Sequence, residues 1–229
     1  MEIQIRSLLR GAQEAEGTVI IIDVFRAFTT AAIAFWRGAE KIILVAEVEE
    51  ALELRKDGLG EICLGEVNGV RPRSFDFGNS PFEISQADVR GKTLIQSTRA
   101  GTVGASAAIR AEKLYASSLV IADATVKSIL KAPPNLVTIV PMGVEGRVRA
   151  DEDEQCALYI RNLLQGRQPD HKAVRHLICA GEESQKYGDP VRPQFHPEDK
   201  KMALQIDSLA FAIRIGRESN LLIARRIPV

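Results

Sequence analysis

The chain has 229 residues, of which 45% are hydrophobic and 26% are charged, a balance that is typical of globular proteins and excludes disordered and fibrous classes. Its 30 basic and 30 acidic residues cancel, which argues against a general affinity for nucleic acids or acidic membranes. Three widely separated cysteines, a charged N-terminus and the lack of a long apolar run predict a cytoplasmic protein with reduced thiols, without a signal peptide or a membrane span.

The first third of the chain alternates predicted strands and helices. Val19–Ile22 is an all-apolar run rich in β-branched residues, which is typical of a strand buried on both faces. The predicted elements are a short element at 3–9, strands at 19–22, 41–46 and 61–65, and helices at 30–37 and 48–56. Such short alternation predicts a largely parallel or mixed sheet with helices on its faces, in a layered α/β/α arrangement.

The segment 66–81, EVNGVRPRSFDFGNSP, interrupts this alternation. It is rich in Gly, Pro, Asn and Ser and carries Glu66, Asp76 and Asn79 after a strand end, so it is a candidate ligand loop or lid. The alternative is a plain surface turn in which Asn79 and Ser80 cap a helix that begins near residue 81.

The rest of the chain continues with strands and helices and ends in a predicted antiparallel hairpin at 211–227. The polar stretch 181–200, which contains three prolines, is predicted to be irregular and is a candidate flap. The remaining predicted elements are strands at 93–96, 114–116, 119–122 and 136–140, and helices at 101–110, 125–130 and 151–164.

The strand at 19–22 leads into a strand-turn-helix corner, residues 18–30, which we call the first corner. The carboxyl ends of parallel strands face a crevice, and a following helix offers unpaired N–H groups to anions. Asp23 could therefore hold a metal ion or a proton, and Arg26 could bind a phosphate or a carboxylate. The alternative is that Asp23 caps the helix and Arg26 pairs with it at the surface.

A second corner, residues 93–102, has a similar sequence. Residues 97–113 align with 25–41, so that Arg26 matches Arg99 and Thr29 matches Thr102. The likeness predicts an internal duplication within a single domain, with similar lobes at roughly 1–90 and 91–229. In that arrangement both arginines converge on one anionic ligand, and the N–H groups around Gly101 add donors.

Each predicted unit also delivers a Gly-flanked glutamate after a strand, Glu66 in the first and Glu145 in the second. The acidic run at 151–154 then opens a predicted helix. Its negative charge could serve only to offset the helix dipole. Alternatively, Glu152 and Asp153 face the crevice and bind Mg²⁺, which prefers carboxylate oxygens.

Taken together, the blocks IDVFRAFTT, GE-x-x-G, FDFGNSP, STRAGT and EGR followed by ED and CA resemble the 2-phosphosulfolactate phosphatases, the coenzyme M biosynthesis family often called ComB. The resemblance runs from about residue 19 to residue 164. It implies the family's own α/β fold and a Mg²⁺-dependent acid phosphatase that converts 2-phosphosulfolactate into 3-sulfolactate and phosphate. The attacking group would be either a water activated by the metal or Asp23 itself.

The resemblance carries candidate roles onto this chain. The predicted catalytic residues are Asp23, Arg26, Arg99 and Glu145. The predicted substrate-binding residues are Asn79, Ser80, Thr98, Gly101, Thr102 and Arg147. The predicted Mg²⁺ ligands are Asp23, Glu66, Asp76, Glu152 and Asp153.

Two other functions fit the same residues. One is a phosphatase for another small phosphorylated hydroxy acid, and the other is a non-catalytic protein that binds an anionic metabolite and signals by closing its flap. The acidic residues favour an enzyme, because carboxylates beside an anion help only when a metal ion lies between them. The expected partner is a small-molecule phosphate ester rather than a nucleic acid or a membrane, and a homodimer is left open.

Overall fold

The computed structural model, which describes residues 1–229, contains one nine-stranded sheet with helices on both faces. The strands are β1 (Glu2–Ile5), β2 (Gly17–Ile22), β3 (Lys41–Val45), β4 (Ile62–Gly65), β5 (Thr93–Ser97), β6 (Ala111–Ser117), β7 (Leu136–Pro141), β8 (Phe211–Glu218) and β9 (Leu221–Pro228). The helices are α1 (Leu8–Glu14), α2 (Ala27–Trp36), α3 (Val48–Lys56), α4 (Pro81–Gln86), α5 (Gly101–Ala107), α6 (Ala122–Leu130), α7 (Asp151–Leu164), α8 (His171–Ala180) and α9 (Pro197–Ala203). Short 3₁₀ turns occur at Leu119–Ile121 and Glu183–Lys186. The predicted α/β class with a mixed sheet is confirmed.

The sheet has the order β1-β7-β2-β6-β8-β9-β3-β5-β4. The four strands on one side of the β8–β9 hairpin run parallel to one another, and so do the three on the other side. Because β8 is antiparallel to β6 and β9 is antiparallel to β3, the two parallel sets run in opposite directions. The predicted C-terminal hairpin therefore lies in the middle of the sheet and joins its two halves.

The strand order is similar when it is read outward from the hairpin in either direction. It begins β6-β2-β7 on one side and β3-β5-β4 on the other. The connection from β2 through α2 to β3 therefore crosses from the first side to the second, and the connection from β5 through α5 to β6 crosses back. This order agrees with a duplicated strand-helix-strand unit. The division of the domain into two similar lobes stays a prediction.

The two faces of β2 belong to different hydrophobic cores. Val19 and Ile21 pack in a core that includes α2, whereas Ile20 and Ile22 pack in a core that includes α7 and α8. Every residue from Ala27 to Phe35 in α2 is buried, as expected for a helix that is apolar all round. Both faces of the sheet are thus covered, which is the layered arrangement that the continuous apolar run of β2 predicted.

Some predicted elements differ from the structure. The strand predicted at 119–122 is wrong, because these residues form a 3₁₀ turn and the start of α6. A short buried apolar run does not distinguish the two conformations. Helix α2 begins at residue 27 instead of 30 because Asp23 accepts a hydrogen bond from the Ala27 N–H. Helices α8 and α9 were not predicted, and α9 begins inside the stretch 181–200 that was expected to be irregular. No helix combines the length and the apolar character that crossing a membrane requires.

Candidate active site

The first corner holds a buried carboxylate at the end of β2. Asp23 is 6% exposed, and its Oδ1 accepts the Ala27 N–H at 2.9 Å. Its Oδ2 accepts the Gly101 N–H, also at 2.9 Å. Burial, with a smaller contribution from the nearby Glu66 charge, raises the pKa of Asp23 to about 6. Asp23 therefore caps α2, as the alternative interpretation had it, and also joins the two corners.

Position 101 requires a residue without a side chain, because the backbone of the second corner lies very close to Asp23. A Cβ atom at this position would lie 2.9 Å from both the Asp23 Oδ2 and the Ala27 Cβ. The N–H of Gly101 is directed at the Asp23 carboxylate and not at the crevice. The predicted role of Gly101 as a donor to a bound anion is thus not what this geometry shows.

A second buried carboxylate comes from the first turn of α7. Asp153 is 2% exposed, and its Oδ1 and Oδ2 accept N–H bonds from Val24 at 2.7 Å and from Gly143 at 2.8 Å. Burial, followed by the charges of Asp23 and Glu152, raises its pKa well above the usual range. Asp153 thus ties α7 to the first corner and to the loop after β7.

Glu152, the residue before Asp153, is 4% exposed. Burial, together with the charges of Glu183, Asp23 and Asp151, raises its pKa to about 8. An acidic residue that only offset the dipole of α7 would gain nothing from such burial. The structure therefore places this part of the acidic run inside the crevice.

The loop after β4 supplies two more side chains with oxygen atoms at this site, those of Glu66 and Asn79. Glu66 accepts the Gly69 N–H at 2.7 Å with Oε2 and the Arg99 N–H at 2.8 Å with Oε1, so it holds this loop against the second corner. Asn79 is 6% exposed, and its Oδ1 is buried without a hydrogen-bond partner. Since a buried acceptor without a partner costs free energy, this oxygen marks a place for a ligand.

These groups surround one cavity of about 280 Å³. Its acidic lining residues are Asp23, Glu66, Glu145, Glu152, Asp153 and Glu183. Its basic lining residues are Arg26, Arg99 and Lys186. Six carboxylates and three cationic side chains leave an excess of negative charge when all are ionised. An anionic ligand would need a further cation to bind here.

The two predicted arginines both line the cavity, but their side chains have other partners. Arg26 is 3% exposed, and its Nη1 donates to Asp199 Oδ2 at 2.7 Å and to the Gln194 carbonyl at 2.8 Å. The idea that Arg26 pairs with Asp23 at the surface is therefore wrong. Arg99 is partly exposed and donates to Glu47 at 3.2 Å.

Several predicted substrate-binding residues lie outside the cavity lining. Ser80 caps α4 by accepting the Glu83 N–H, and its hydroxyl donates to Asp199. Thr98 and Thr102 are buried and bond to each other across the turn that opens α5. These contacts shape the corners, because every one of them is internal to the fold.

Two charged residues from the predicted site also lie elsewhere. Arg147 has an 80% exposed side chain beside Glu145 at 3.9 Å, outside the lining of the cavity. Asp76 pairs with Arg55 at 3.0 Å and accepts the Cys63 N–H at 2.8 Å, so it fixes the loop to β4 and not to the other predicted Mg²⁺ ligands.

The segment 181–199, which we call the strap, contributes residues that the sequence did not single out. Glu183, Lys186 and Phe195 line the cavity, and Asp199 forms a buried ion pair with Arg26. No local motif marks these positions. The only sequence signal was the polar, proline-containing composition that suggested a flap.

The cavity is lined by carboxylate and amide oxygens, which are the kind of ligand atom that Mg²⁺ prefers. No three His, Cys, Asp or Glu side chains are grouped at metal-ligating spacing. Mg²⁺ commonly keeps several waters and is held by one or two carboxylates together with substrate phosphates. The unpartnered oxygen of Asn79 lines the same cavity as the buried carboxylates of Asp23 and Asp153, neither of which forms an ion pair, and a hard divalent cation completes such an environment.

Comparison with known proteins adds an independent finding. A family model described as 2-phosphosulpholactate phosphatase matches residues 4–192. A protein named probable 2-phosphosulfolactate phosphatase from Bacillus subtilis is 33% identical over 183 residues, which are 79% of this chain and 78% of the relative. Its namesakes from Carboxydothermus hydrogenoformans and Thermotoga petrophila are 39% and 36% identical, over 64% and 59% of this chain and 60% and 57% of the relatives. Asp199 and α9 lie beyond the part that the family model matches.

Proposed function

The chain belongs to the 2-phosphosulfolactate phosphatase family, and from this premise we propose that it is a phosphoric monoester hydrolase that converts 2-phosphosulfolactate and water into 3-sulfolactate and phosphate. The observation that carries the proposal is the pair of buried carboxylates, Asp23 and Asp153. Both are fixed by two backbone N–H groups each, in one cavity with the unpartnered oxygen of Asn79.

Hydrolysis of this ester needs charge neutralisation, because phosphate, carboxylate and sulfonate groups would all enter a cavity that is already acidic. We propose that Mg²⁺ meets this need when bound, by neutralising phosphoryl oxygens and lowering the pKa of water. It would be held by the Asn79 oxygen together with one or two of the carboxylates of Asp23, Glu152 and Asp153, with water completing its coordination.

The protein's own groups then have distinct tasks. Asp23 either attacks phosphorus or accepts the proton of the attacking water, and in both cases the Ala27 and Gly101 N–H groups fix its orientation. Arg99 lines the cavity, and its guanidinium would bind phosphoryl oxygens after leaving its partly exposed pair with Glu47. Glu66 positions Arg99 by binding its main-chain N–H.

The test is release of inorganic phosphate from 2-phosphosulfolactate by the purified protein, with Mg²⁺ and with EDTA. We expect turnover with Mg²⁺, little with EDTA, and a loss of at least a hundredfold in Asp23→Asn. The matched control is Asp88→Asn, since Asp88 has an 85% exposed side chain on the surface. Equal turnover in Asp23→Asn and Asp88→Asn would refute the assignment.

The same assay on other phosphorylated hydroxy acids tests the nearest alternative. A preference for an ester without a sulfonate would support the proposed phosphate-ester hydrolysis but would assign a different substrate. Binding without phosphate release from any ester would favour the non-catalytic metabolite binder. A role in coenzyme M biosynthesis, a cytoplasmic location and a homodimer stay predictions.

A further inference from the structure

The strap forms part of the lining of the cavity and is anchored at its C-terminal end. Asp199, which is fully buried, binds the Arg26 guanidinium on one side and the Ser80 hydroxyl and Phe82 N–H on the other. This anchor holds the preceding residues of the strap against the cavity. Their side chains are therefore in place to contact a ligand.

Lys186 is the basic residue that the strap adds to the cavity. Its Nζ pairs with the carboxylate of Glu183 in the same 3₁₀ turn, and both side chains are 22% exposed. It lies 6.0 Å from the centre of the Phe195 ring, and the Arg26 guanidinium lies 5.0 Å from the same centre. The Phe195 ring thus connects the position of Lys186 with the first corner.

The three basic groups of the cavity differ in what holds them. Arg26 is locked in a buried ion pair, and Arg99 pairs with Glu47, which does not line the cavity. Lys186 alone among the three pairs with a carboxylate of the cavity itself. Partly exposed pairs of this kind are weak, so an incoming anion can replace the Glu183 carboxylate as the partner of Lys186.

We propose that Lys186 determines specificity by binding the second anionic group of the substrate, the carboxylate or sulfonate that a simple phosphate ester lacks. The proposal rests on the proposed function, because it assumes a substrate with more than one acidic group. On binding, the Lys186 ammonium exchanges one carboxylate partner for the substrate's acid, and the Glu183 carboxylate turns to solvent. After this exchange Lys186 is still paired, and the charge of Glu183 is hydrated by solvent.

The test measures binding of 3-sulfolactate and of inorganic phosphate by calorimetry in Lys186→Met, Lys186→Arg and the wild-type protein. The matched control is Lys201→Met, because Lys201 pairs with Glu198 at the same three-residue spacing but has a 67% exposed side chain away from the cavity. Competition with lactate and with 2-hydroxyethanesulfonate shows whether the carboxylate or the sulfonate is the bound group.

We expect Lys186→Met to weaken 3-sulfolactate binding at least tenfold and phosphate binding less than threefold. Lys186→Arg should recover most of the loss, and Lys201→Met should resemble wild type. In turnover, Lys186→Met should raise KM for 2-phosphosulfolactate more than it lowers kcat.

Unchanged 3-sulfolactate binding in Lys186→Met, an equal loss for phosphate, or no binding of 3-sulfolactate by the wild-type protein would overturn the proposal. Lys186-dependent binding of 3-sulfolactate without phosphate release from the ester would leave this subsite standing and refute the hydrolytic function. Thermal melting of each variant shows whether a loss of ligand binding comes from unfolding. If Lys186→Met is unfolded, binding by Lys186→Arg provides the test.

Discussion

Removing one partner of the buried ion pair between Arg26 and Asp199 should destabilise the protein far more than removing one partner of a surface pair. The Nη1–Oδ2 distance is 2.7 Å, and the side chains are 3% and 0% exposed. The other oxygen of Asp199 accepts the Ser80 hydroxyl at 2.6 Å and the Phe82 N–H at 3.0 Å. One carboxylate therefore joins the strap to the first corner and to α4.

The magnitude for Asp199→Ala follows from what the substitution leaves behind. The Arg26 guanidinium loses its counter-charge in a buried position, which typically costs about 3–5 kcal/mol. The Ser80 hydroxyl and Phe82 N–H lose their acceptor, at roughly 1–3 kcal/mol for each group that stays dry. Water that fills the space left by the Asp199 side chain can hydrate the Ser80 hydroxyl and the Phe82 N–H, so we expect a total near the cost of the unpaired guanidinium alone, about 3–5 kcal/mol.

Urea unfolding followed by circular dichroism measures this loss through the shift of the midpoint at constant slope. The control is Glu218→Ala, which removes an exposed pair with Arg225 at 3.0 Å and should cost much less. The double variant Arg26→Met with Asp199→Leu should be more stable than Asp199→Ala, because it leaves no buried charge unpaired. An Asp199→Ala loss no larger than that of Glu218→Ala would refute the reasoning.

Two further predictions concern Mg²⁺ and pH. Asn79→Ala removes the unpartnered oxygen of the cavity, and we expect it to raise the Mg²⁺ concentration for half-maximal phosphate release about tenfold, whereas an unchanged requirement would remove Asn79 from the metal site. For the metal-free protein, burial raises the pKa of Glu152 from 4.5 to about 8, so the folded state holds this proton more tightly than the unfolded state does. That contribution to stability is complete below the unfolded value and is lost as pH rises through the folded one, which amounts to roughly 2 kcal/mol between pH 6 and pH 8. The melting temperature in EDTA should therefore fall by several degrees over this interval. The fall should be smaller in Glu152→Gln, where only the raised pKa values of Asp23 and Asp153 remain, and a melting temperature that rises with pH would contradict the prediction.

Much of the cavity could be predicted from the sequence because the residues concerned follow strands. The apolar run of β2 predicted a buried strand, and Asp23 lies where that strand ends. Glu66 after β4 and Arg99 after β5 follow the same rule within the second parallel set, since the carboxyl ends of parallel strands border a crevice. The motif blocks added Asn79 and Asp153, and all five residues line the cavity.

The remaining contacts depend on pairs of residues that are distant in sequence and leave no local signal. Asp199, the partner of Arg26, is 173 positions away and lies in a stretch that composition marks only as polar. The Gly101 N–H was expected to bind an anion because it opens a helix, yet its acceptor is a carboxylate of the other corner. Helix-capping rules correctly predict that this N–H lacks a partner within its own helix. They do not predict its acceptor, which comes from a distant part of the chain.

The position of the C-terminal hairpin has a consequence for the site itself. Because β8 and β9 separate two parallel sets that run in opposite directions, a flat sheet would place the ends of β2 and β5 at opposite edges. Neighbouring strands rotate by about 20–25° each, so the five steps from β2 to β5 turn the strand direction by roughly 100–125° and bring those ends towards each other. The hydrogen bond from Gly101 to Asp23 shows that they meet. A hairpin that carries none of the motif residues therefore supplies part of the twist through which two distant corners form one cavity.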